Sequence, residues 1–269
     1  LTALLPAWLG AAFWMAAVMA LAWAIQRRTG QGGWADALWT FGLGAAGVGV
    51  ALLPPHAAPT ARQVLVGALI GLWSLRLGAH LAVRAARGGA DARYEHLRAT
   101  WGDQADARMF GFLMLQAAAG AVLALSILLA ARRPAPGLDL QDALAALLLA
   151  GSLAGEAVAD RQLAAFKADP GHGPICQRGL WAWSRHPNYF FEWLGWCAWP
   201  LFAIELSGGW PWGWLALSGP AYMLWLLTRV SGVPPLEDHM RRTRPAAFAR
   251  YAARTSVFIP RPPRRGSAD

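Results

Sequence analysis

Seven apolar runs of roughly 17 to 25 residues follow one another along the chain, at about 4–25, 35–53, 64–83, 109–130, 143–159, 189–206 and 212–230. A hydrocarbon core of about 30 Å is crossed by a helix of about 20 apolar residues. In lipid each backbone N–H and C=O must be satisfied within its own segment, so runs of this length fold as helices rather than open strands. With 56% hydrophobic residues, 14% charged residues and 16 Trp among 269, there is too little polar material to cover a water-exposed surface. The expected fold is therefore all-α, a polytopic membrane protein with seven spans in a single domain covering 1–269.

The charges are distributed unevenly about these runs. Of the 24 Lys and Arg, 19 fall in the loops after spans one, three and five and in the tail; three fall on the other side and two within spans. By the positive-inside rule the N-terminus lies outside and the C-terminal tail in the cytoplasm. A net charge of +9 spread in this way does not form a face for nucleic acid. The two cysteines, Cys176 and Cys197, have no CxxC or Cys/His spacing, so neither a disulfide framework nor a metal is expected. The first apolar run is too long for a signal-peptide core and no basic segment precedes it, so no cleavable leader is expected. The outer positives Arg62, Arg132 and Arg133 sit in Pro-, Ala- and Gly-containing loops that read as plain connectors, and Glu205 reads as solvated.

An ionisable side chain within a span costs on the order of 3 kcal/mol and so needs a partner or a function. Trp73, Arg76 and His80, spaced by three and four, share one face of span three. Glu156 and Asp160 are four apart on span five, with Gln162 and Lys167 following as the helix leaves the membrane. Asn188, Glu192 and Trp196 repeat every four residues from the threshold of span six, and Asp36 begins span two at the same depth. An interhelical ion pair, such as Arg76 with Glu192, would account for one stripe. Four stripes at one depth describe a polar cavity open to the cytoplasm beneath an apolar outer half.

At its mouth stand Lys167, Arg178, Arg185, Arg250 and Arg254, with Arg241, Arg242 and Arg244 nearby. Guanidinium groups grip phosphate oxygens in a fork, while the carboxylates and amides deeper in suit ribose hydroxyls and a carboxamide. The combination favours a dinucleotide, with an apolar substrate entering from the bilayer. The stretch SRHPNYFFE at 184–192 fits that use: Pro187 suits a first helical turn, whose positive dipole end with Arg185, His186 and Tyr189 beside it would receive an electronegative ligand. Glu237 and Tyr251 of the tail complete the cofactor candidates, and the tail from 231 to 269 is expected to close the site. Trp39 and Trp73 are candidates for the apolar substrate. The far tail, RPPRRGSAD, reads as attraction to anionic lipid.

Other patterns carry less. GLGAAG at 42–47 satisfies GxGxxG but lies in mid-span with no preceding strand, so it reads as small residues permitting close helix contact. No GxSxG, HExxH or P-loop occurs.

The runs GPICQRGLWAWSRHPNYFFEWLGW and SGVPPLEDHMRRTRPAAFARYAARTSVFIP, with the earlier LWSLRL and ADARY, resemble the bacterial branch of the steroid 5α-reductase superfamily, the group labelled DUF1295, from about residue 30 to 260. The resemblance implies a seven-span protein of the bacterial inner membrane that holds NADPH in a cytoplasm-facing cavity. It also implies reduction of a carbon–carbon double bond conjugated to a carbonyl in a lipid or steroid. By position, Asp160 and Lys167 match the family's span-five contacts, Asn188 and Glu192 its nicotinamide-side pair, and Arg76 and Arg254 its arginines on span three and the tail. Two positions depart from the pattern. Trp73 stands where the reductases have a tyrosine, and Asp36 is the nearest candidate for their Gln-Glu pair on span two. The expected polariser of the substrate is therefore Asp36, with Tyr94 of ARYEHLR as proton donor or cofactor contact. A methyltransferase of the isoprenylcysteine carboxyl methyltransferase type, using S-adenosylmethionine, shares the RHP-Tyr and tail features. A non-catalytic lipid-binding protein is the remaining alternative.

Overall fold

A computed structural model describes residues 4–53, 59–87 and 92–264. Among these there is no strand; the single ladder contact is a parallel bridge between Ser184 and Ser256. Five helices are long and apolar enough to cross a membrane: Leu5–Thr29, Trp34–Leu52, Ala61–Ala86, Leu97–Arg132 and Leu140–Ala168. We number the helices α1 (Leu5–Thr29), α2 (Trp34–Leu52), α3 (Ala61–Ala86), α4 (Ala92–Trp101), α5 (Ala105–Arg132) and α6 (Leu140–Ala168). They are followed by α7 (Pro187–Trp196), α8 (Ala198–Ala203), α9 (Ser218–Trp225), α10 (Val233–Thr243) and α11 (Pro245–Arg254). Large apolar side chains such as Phe13, Leu75, Leu115 and Leu147 stand exposed on α1, α3, α5 and α6. In water that surface would drive association, whereas against lipid it is simply solvated.

The helix ends follow local chemistry. Gly30, at φ 74°, closes α1 by returning its N–H to the Gln26 carbonyl, with Arg27 and Arg28 in the last turn opposing the negative end of the helix. Thr60 and Gln63 form a reciprocal capping box at the start of α3: the Thr60 hydroxyl accepts from the Gln63 N–H at 3.3 Å, and the Gln63 side chain accepts from the Thr60 N–H at 2.8 Å.

The sixth and seventh apolar runs are not single helices. The sixth is split at Cys197 into α7 and α8. Pro200 has no N–H for the Trp196 carbonyl and its ring crowds that oxygen, so the α-helical ladder cannot continue through this turn. The seventh consists of a 3₁₀ turn (Pro211–Leu217), α9 and a π turn (Leu226–Val230), the last closed by Ser231 N–H to the Leu226 carbonyl at 2.9 Å. Pro220 deprives the Ala216 carbonyl of its helical donor in the same way, and the Ser126 hydroxyl supplies one instead at 2.9 Å.

The chain divides into two compact units, Leu1–Ala143 with Trp199–Gly219, and Leu144–Ala198 with Pro220–Asp269. In the first, α2 packs along α3 and α5, and α1 along α5 and α2. The GLGAAG stretch does permit close helix contact: a Cβ on Gly44 would lie 2.1 Å from Ser74 Oγ and 2.2 Å from its Cβ, and one on Gly47 2.7 Å from Ile70. Indole N–H groups add ties across helices, from Trp8 to the Ala121 carbonyl, Trp14 to Gly42 and Trp23 to Asp106, at 2.8 to 3.0 Å. Each of these indoles cross-links two helices.

The connectors that carry Arg62 and Arg133 require a correction. Arg62 grips Asp142 in a fork at 2.8 and 2.7 Å and donates to the Arg133 and Gly137 carbonyls, while Arg133 reaches Asp142 at 3.0 Å and Asp139 at 2.7 Å. Arg62, Arg133 and Asp142 are buried. Gln141 adds bonds to the Leu201 and Ile204 carbonyls. What reads as loop is a buried ionic junction joining the starts of α3 and α6 to the end of α5.

In the second unit the tail clasps the segment ahead of α7. Arg185 N–H donates to the Ser256 carbonyl at 2.8 Å, Arg261 N–H to Trp183 at 3.0 Å, and the Ser184 hydroxyl to Phe258 at 2.8 Å. Phe190, Trp193 and Phe258 pack ring against ring beneath this seam. Gly179, at φ 57°, sits where a side chain would collide with Gln162, whose amide oxygen accepts the Leu180 N–H at 2.9 Å.

Candidate functional site

Each unit carries its own group of the residues singled out from the sequence. In the first unit Asp36 enters from the first turn of α2 and Tyr94 from the first turn of α4, residues 58 apart in sequence. The Tyr94 hydroxyl donates to Asp36 Oδ1 at 3.1 Å. Arg84, near the end of α3, brings a guanidinium nitrogen to 4.0 Å from Asp36 Oδ2. The tyrosine is buried and its ring meets Phe112 edge-on at 6.3 Å, whereas Asp36 remains partly exposed. A buried phenol held against a carboxylate, with a cation at the far side, can keep or release a proton at a defined oxygen. The direction of the bond makes Tyr94 the group that carries the proton and Asp36 the group that accepts.

Other candidates in this unit are spread around that pair. Trp73 is buried on α3, Arg76 is half-buried one turn further on, and His80 is exposed. Trp39 donates its indole N–H to the Gln116 carbonyl at 2.9 Å, which gives it a helix-tying role like that of the other tryptophans. Sequence reasoning passed over Arg84 and Gln26. The latter lies at the end of α1, 2% exposed and close to Tyr94 across Gly32. An uncharged amide beside two arginines gives a sequence little to flag.

In the second unit, Asn188 on α7 donates to Asp160 on α6 at 3.4 Å, so the two stripes read from spans five and six meet. One turn on, buried Glu192 accepts from the buried Trp196 indole at 2.8 Å. Glu156 is buried one turn before Asp160. Close approach of α6 and α7 rests on Gly155, where a Cβ would lie 2.4 Å from the Phe191 ring. Lys167, Arg250 and Arg254 are exposed cations of this unit; Arg178, also exposed, lies 3.7 Å from Asp169.

Three N–H groups at the start of α7 are already engaged, which leaves less for an electronegative ligand than its positive dipole end suggests. His186 N–H goes to the Ser184 hydroxyl at 3.1 Å, Tyr189 N–H to the Asn188 side-chain oxygen at 3.1 Å, and Phe190 N–H to the His186 carbonyl at 3.1 Å. The turn caps itself because a Pro at N1 has no donor and Asn at N2 folds its oxygen back on the next amide.

Four further candidates bind one another. Arg185 donates to Glu237 at 2.8 Å and to the Ala252 and Thr255 carbonyls at 3.3 and 2.8 Å; His186 lies 3.3 Å from the same carboxylate oxygen, and Arg241 donates to the other at 3.0 Å. Burial alone would raise the Glu237 carboxyl, but hydrogen bonds and charge from His186 and Arg185 outweigh it and bring the pKa down to about 2. Tyr251 donates its hydroxyl to the Trp181 carbonyl at 2.6 Å, and burial pushes that hydroxyl well above its usual range. Arg185, Glu237 and Arg241 wall an open groove of about 300 Å³ with Phe248 and Ala252, and His186 stacks on Tyr189 at 5.5 Å. A guanidinium already spent on a carboxylate and two carbonyls has little left for a phosphate, so this cluster acts by fixing the entry to α7.

Among the described residues no group of three or more His, Cys, Asp or Glu is placed to hold a metal. No curated protein matches the chain. A family model described as "Protein of unknown function (DUF1295)" matches residues 22–255, most of the chain, and the protein belongs to that family.

Proposed function

We propose that this protein is an integral membrane reductase that uses NADPH to saturate a carbon–carbon double bond conjugated to a carbonyl in a lipid or steroid. The observation that carries the reading is the buried Tyr94 hydroxyl, oriented by a 3.1 Å hydrogen bond to Asp36 and backed by Arg84. Hydride addition to such an alkene leaves an enolate that needs a proton and an electrostatic partner. Tyr94 holds that proton at its hydroxyl oxygen, Asp36 fixes the direction in which it points, and Arg84 offsets the negative charge left when the proton departs.

The donor set of the second unit fits the cofactor. Asp160, Asn188 and Glu192 provide carboxylate and amide groups for ribose hydroxyls and a carboxamide, and exposed Lys167, Arg250 and Arg254 provide cations for phosphates. When bound, NADPH supplies the hydride. Arg185, His186, Glu237 and Tyr251 contribute by holding the start of α7, and with it Asn188, in place. Within this reading the protein is a member of the steroid 5α-reductase superfamily. The two broken apolar runs complete seven membrane crossings, with the N-terminus outside and the cofactor residues facing the cytoplasm of a bacterial inner membrane.

The purified protein in detergent tests the proposal. NADPH alone should raise its thermal midpoint, and NADPH oxidation should follow addition of 3-decen-2-one, a short lipid-like enone. Tyr94→Phe should keep the NADPH shift and lower turnover by about 10²- to 10⁴-fold, the usual range for loss of a general acid. Stabilisation by S-adenosylmethionine in place of NADPH would replace the reductase with a methyltransferase, and indifference to both would leave a lipid-binding protein.

A further inference from the structure

Gln26 occupies the last turn of α1, 2% exposed. Neither its amide oxygen nor its amide nitrogen meets a hydrogen-bond partner among the described residues. Its neighbour is Tyr94: a Cβ on Gly32 would lie 2.6 Å from Tyr94 Cβ and Cγ and 3.0 Å from Gln26 Nε2, so the bare glycine lets the amide and the base of the Tyr94 side chain close in on the same point. A buried amide lacking partners costs stability, and a leucine of similar volume at this position would not carry that cost. A side chain retained in so unfavourable a state is explained by a partner that arrives from outside.

We propose that the Gln26 amide is a further binding group of the Asp36 and Tyr94 site, and that it takes the oxygen head of an otherwise apolar ligand. Nε2 donates to a ketone or alcohol oxygen, and where that oxygen is a hydroxyl, Oε1 accepts a hydrogen bond from it in turn. The assignment adds a substrate-facing residue on α1 to those on α2 and α4. It deepens the reductase reading and rests on it only for the fate of the bound ketone, since recognition of the oxygen needs no turnover.

Thermal shift of the purified protein with decan-2-one and decan-2-ol, against decane at equal concentration, separates the two. The ketone carries the oxygen but no double bond, so it reports binding even if the protein reduces nothing. Wild type should be stabilised by an oxygenated chain beyond the effect of decane. Gln26→Leu should match or exceed the ligand-free midpoint of wild type and lose about tenfold in apparent affinity for that chain. Gln26→Met provides a second isosteric variant should the leucine pack badly, and Gly32→Ala should weaken binding by pushing the Tyr94 side chain and the amide apart. Equal affinity in wild type and in both Gln26 variants, no extra effect of oxygen over decane, or a fall in the ligand-free midpoint of both variants would overturn the assignment. Gln26-dependent ketone binding without oxidation of NADPH by 3-decen-2-one would keep this site and remove the reductase.

Discussion

Glu237 shows how far a single residue's role depends on its partners. In the sequence it is one acid in a basic tail; in the fold it sits between Arg185, 52 positions earlier, His186, and Arg241 one turn further along α10. Its carboxyl is held near 2 against an ordinary 4.5. A depressed folded value means the stability it contributes is complete above the unfolded value and is lost as pH falls through the folded one. The difference in thermal midpoint between wild type and Glu237→Gln should therefore be constant above about pH 5 and shrink steadily from about pH 4.5 toward 2. At neutral pH the substitution should cost roughly 3 kcal/mol, because Arg185 remains buried with its partner neutralised. A difference that is flat across that acid range would show that the carboxylate is not engaged. Arg185 reads from sequence as waiting for a ligand because a sequence displays charge and conceals where charge is already spent. Tyr94 and Asp36 were legible because a titratable side chain near a span threshold is costly. Gln26 was not, because an amide lacks charge and leaves no pattern.

At the scale of elements, α2 and α3 meet through missing atoms. Gly44→Ala should destabilise by about 1–3 kcal/mol, since the new methyl would overlap the Ser74 side chain close to its own backbone. Gly44→Ala with Ser74→Gly should recover most of that loss, as read by unfolding in mixed micelles. The junction of α3, α5 and α6 is governed by charge instead. Asp142→Ala should cost on the order of 3–5 kcal/mol by leaving Arg62 and Arg133 buried without their shared carboxylate. A loss below about 1 kcal/mol in the same assay would place the cluster in water. Its absence from a sequence reading has a simple cause: Arg62 and Asp142 are 80 residues apart, and each by itself looks like loop polarity. The interruptions of the sixth and seventh apolar runs, by contrast, were present in the sequence as Pro200 and Pro220. Hydropathy counts a proline as one more residue of a span, while the hydrogen-bond ladder counts it as a missing donor.

For the molecule as a whole, the charge asymmetry predicts opposite sides for the loops that flank α6. In intact cells an impermeant maleimide should label Pro136→Cys and spare Gly173→Cys, with both labelled after permeabilisation; both positions are exposed, and Cys176 is buried. Labelling of Gly173→Cys in intact cells would invert the orientation. The last five residues of the basic tail lie outside the described residues. The sequence by itself determined that the chain is helical and built for lipid, because hydrocarbon cannot satisfy a peptide group and apolar length is a local property. It also placed the starts of α1, α2, α3, α5 and α6 to within about four residues, since an apolar run and the residues that break it are local. Only the tertiary structure decided which polar groups satisfy one another and which are left facing a site. It closed Arg185 upon Glu237, Arg62 upon Asp142 and the Tyr94 hydroxyl upon Asp36, and it left the buried Gln26 amide, near the base of the Tyr94 side chain, without a partner among the described residues. Those pairings span from about 50 to 80 residues of chain, and over such separations hydrogen-bond geometry is settled by packing rather than by pattern.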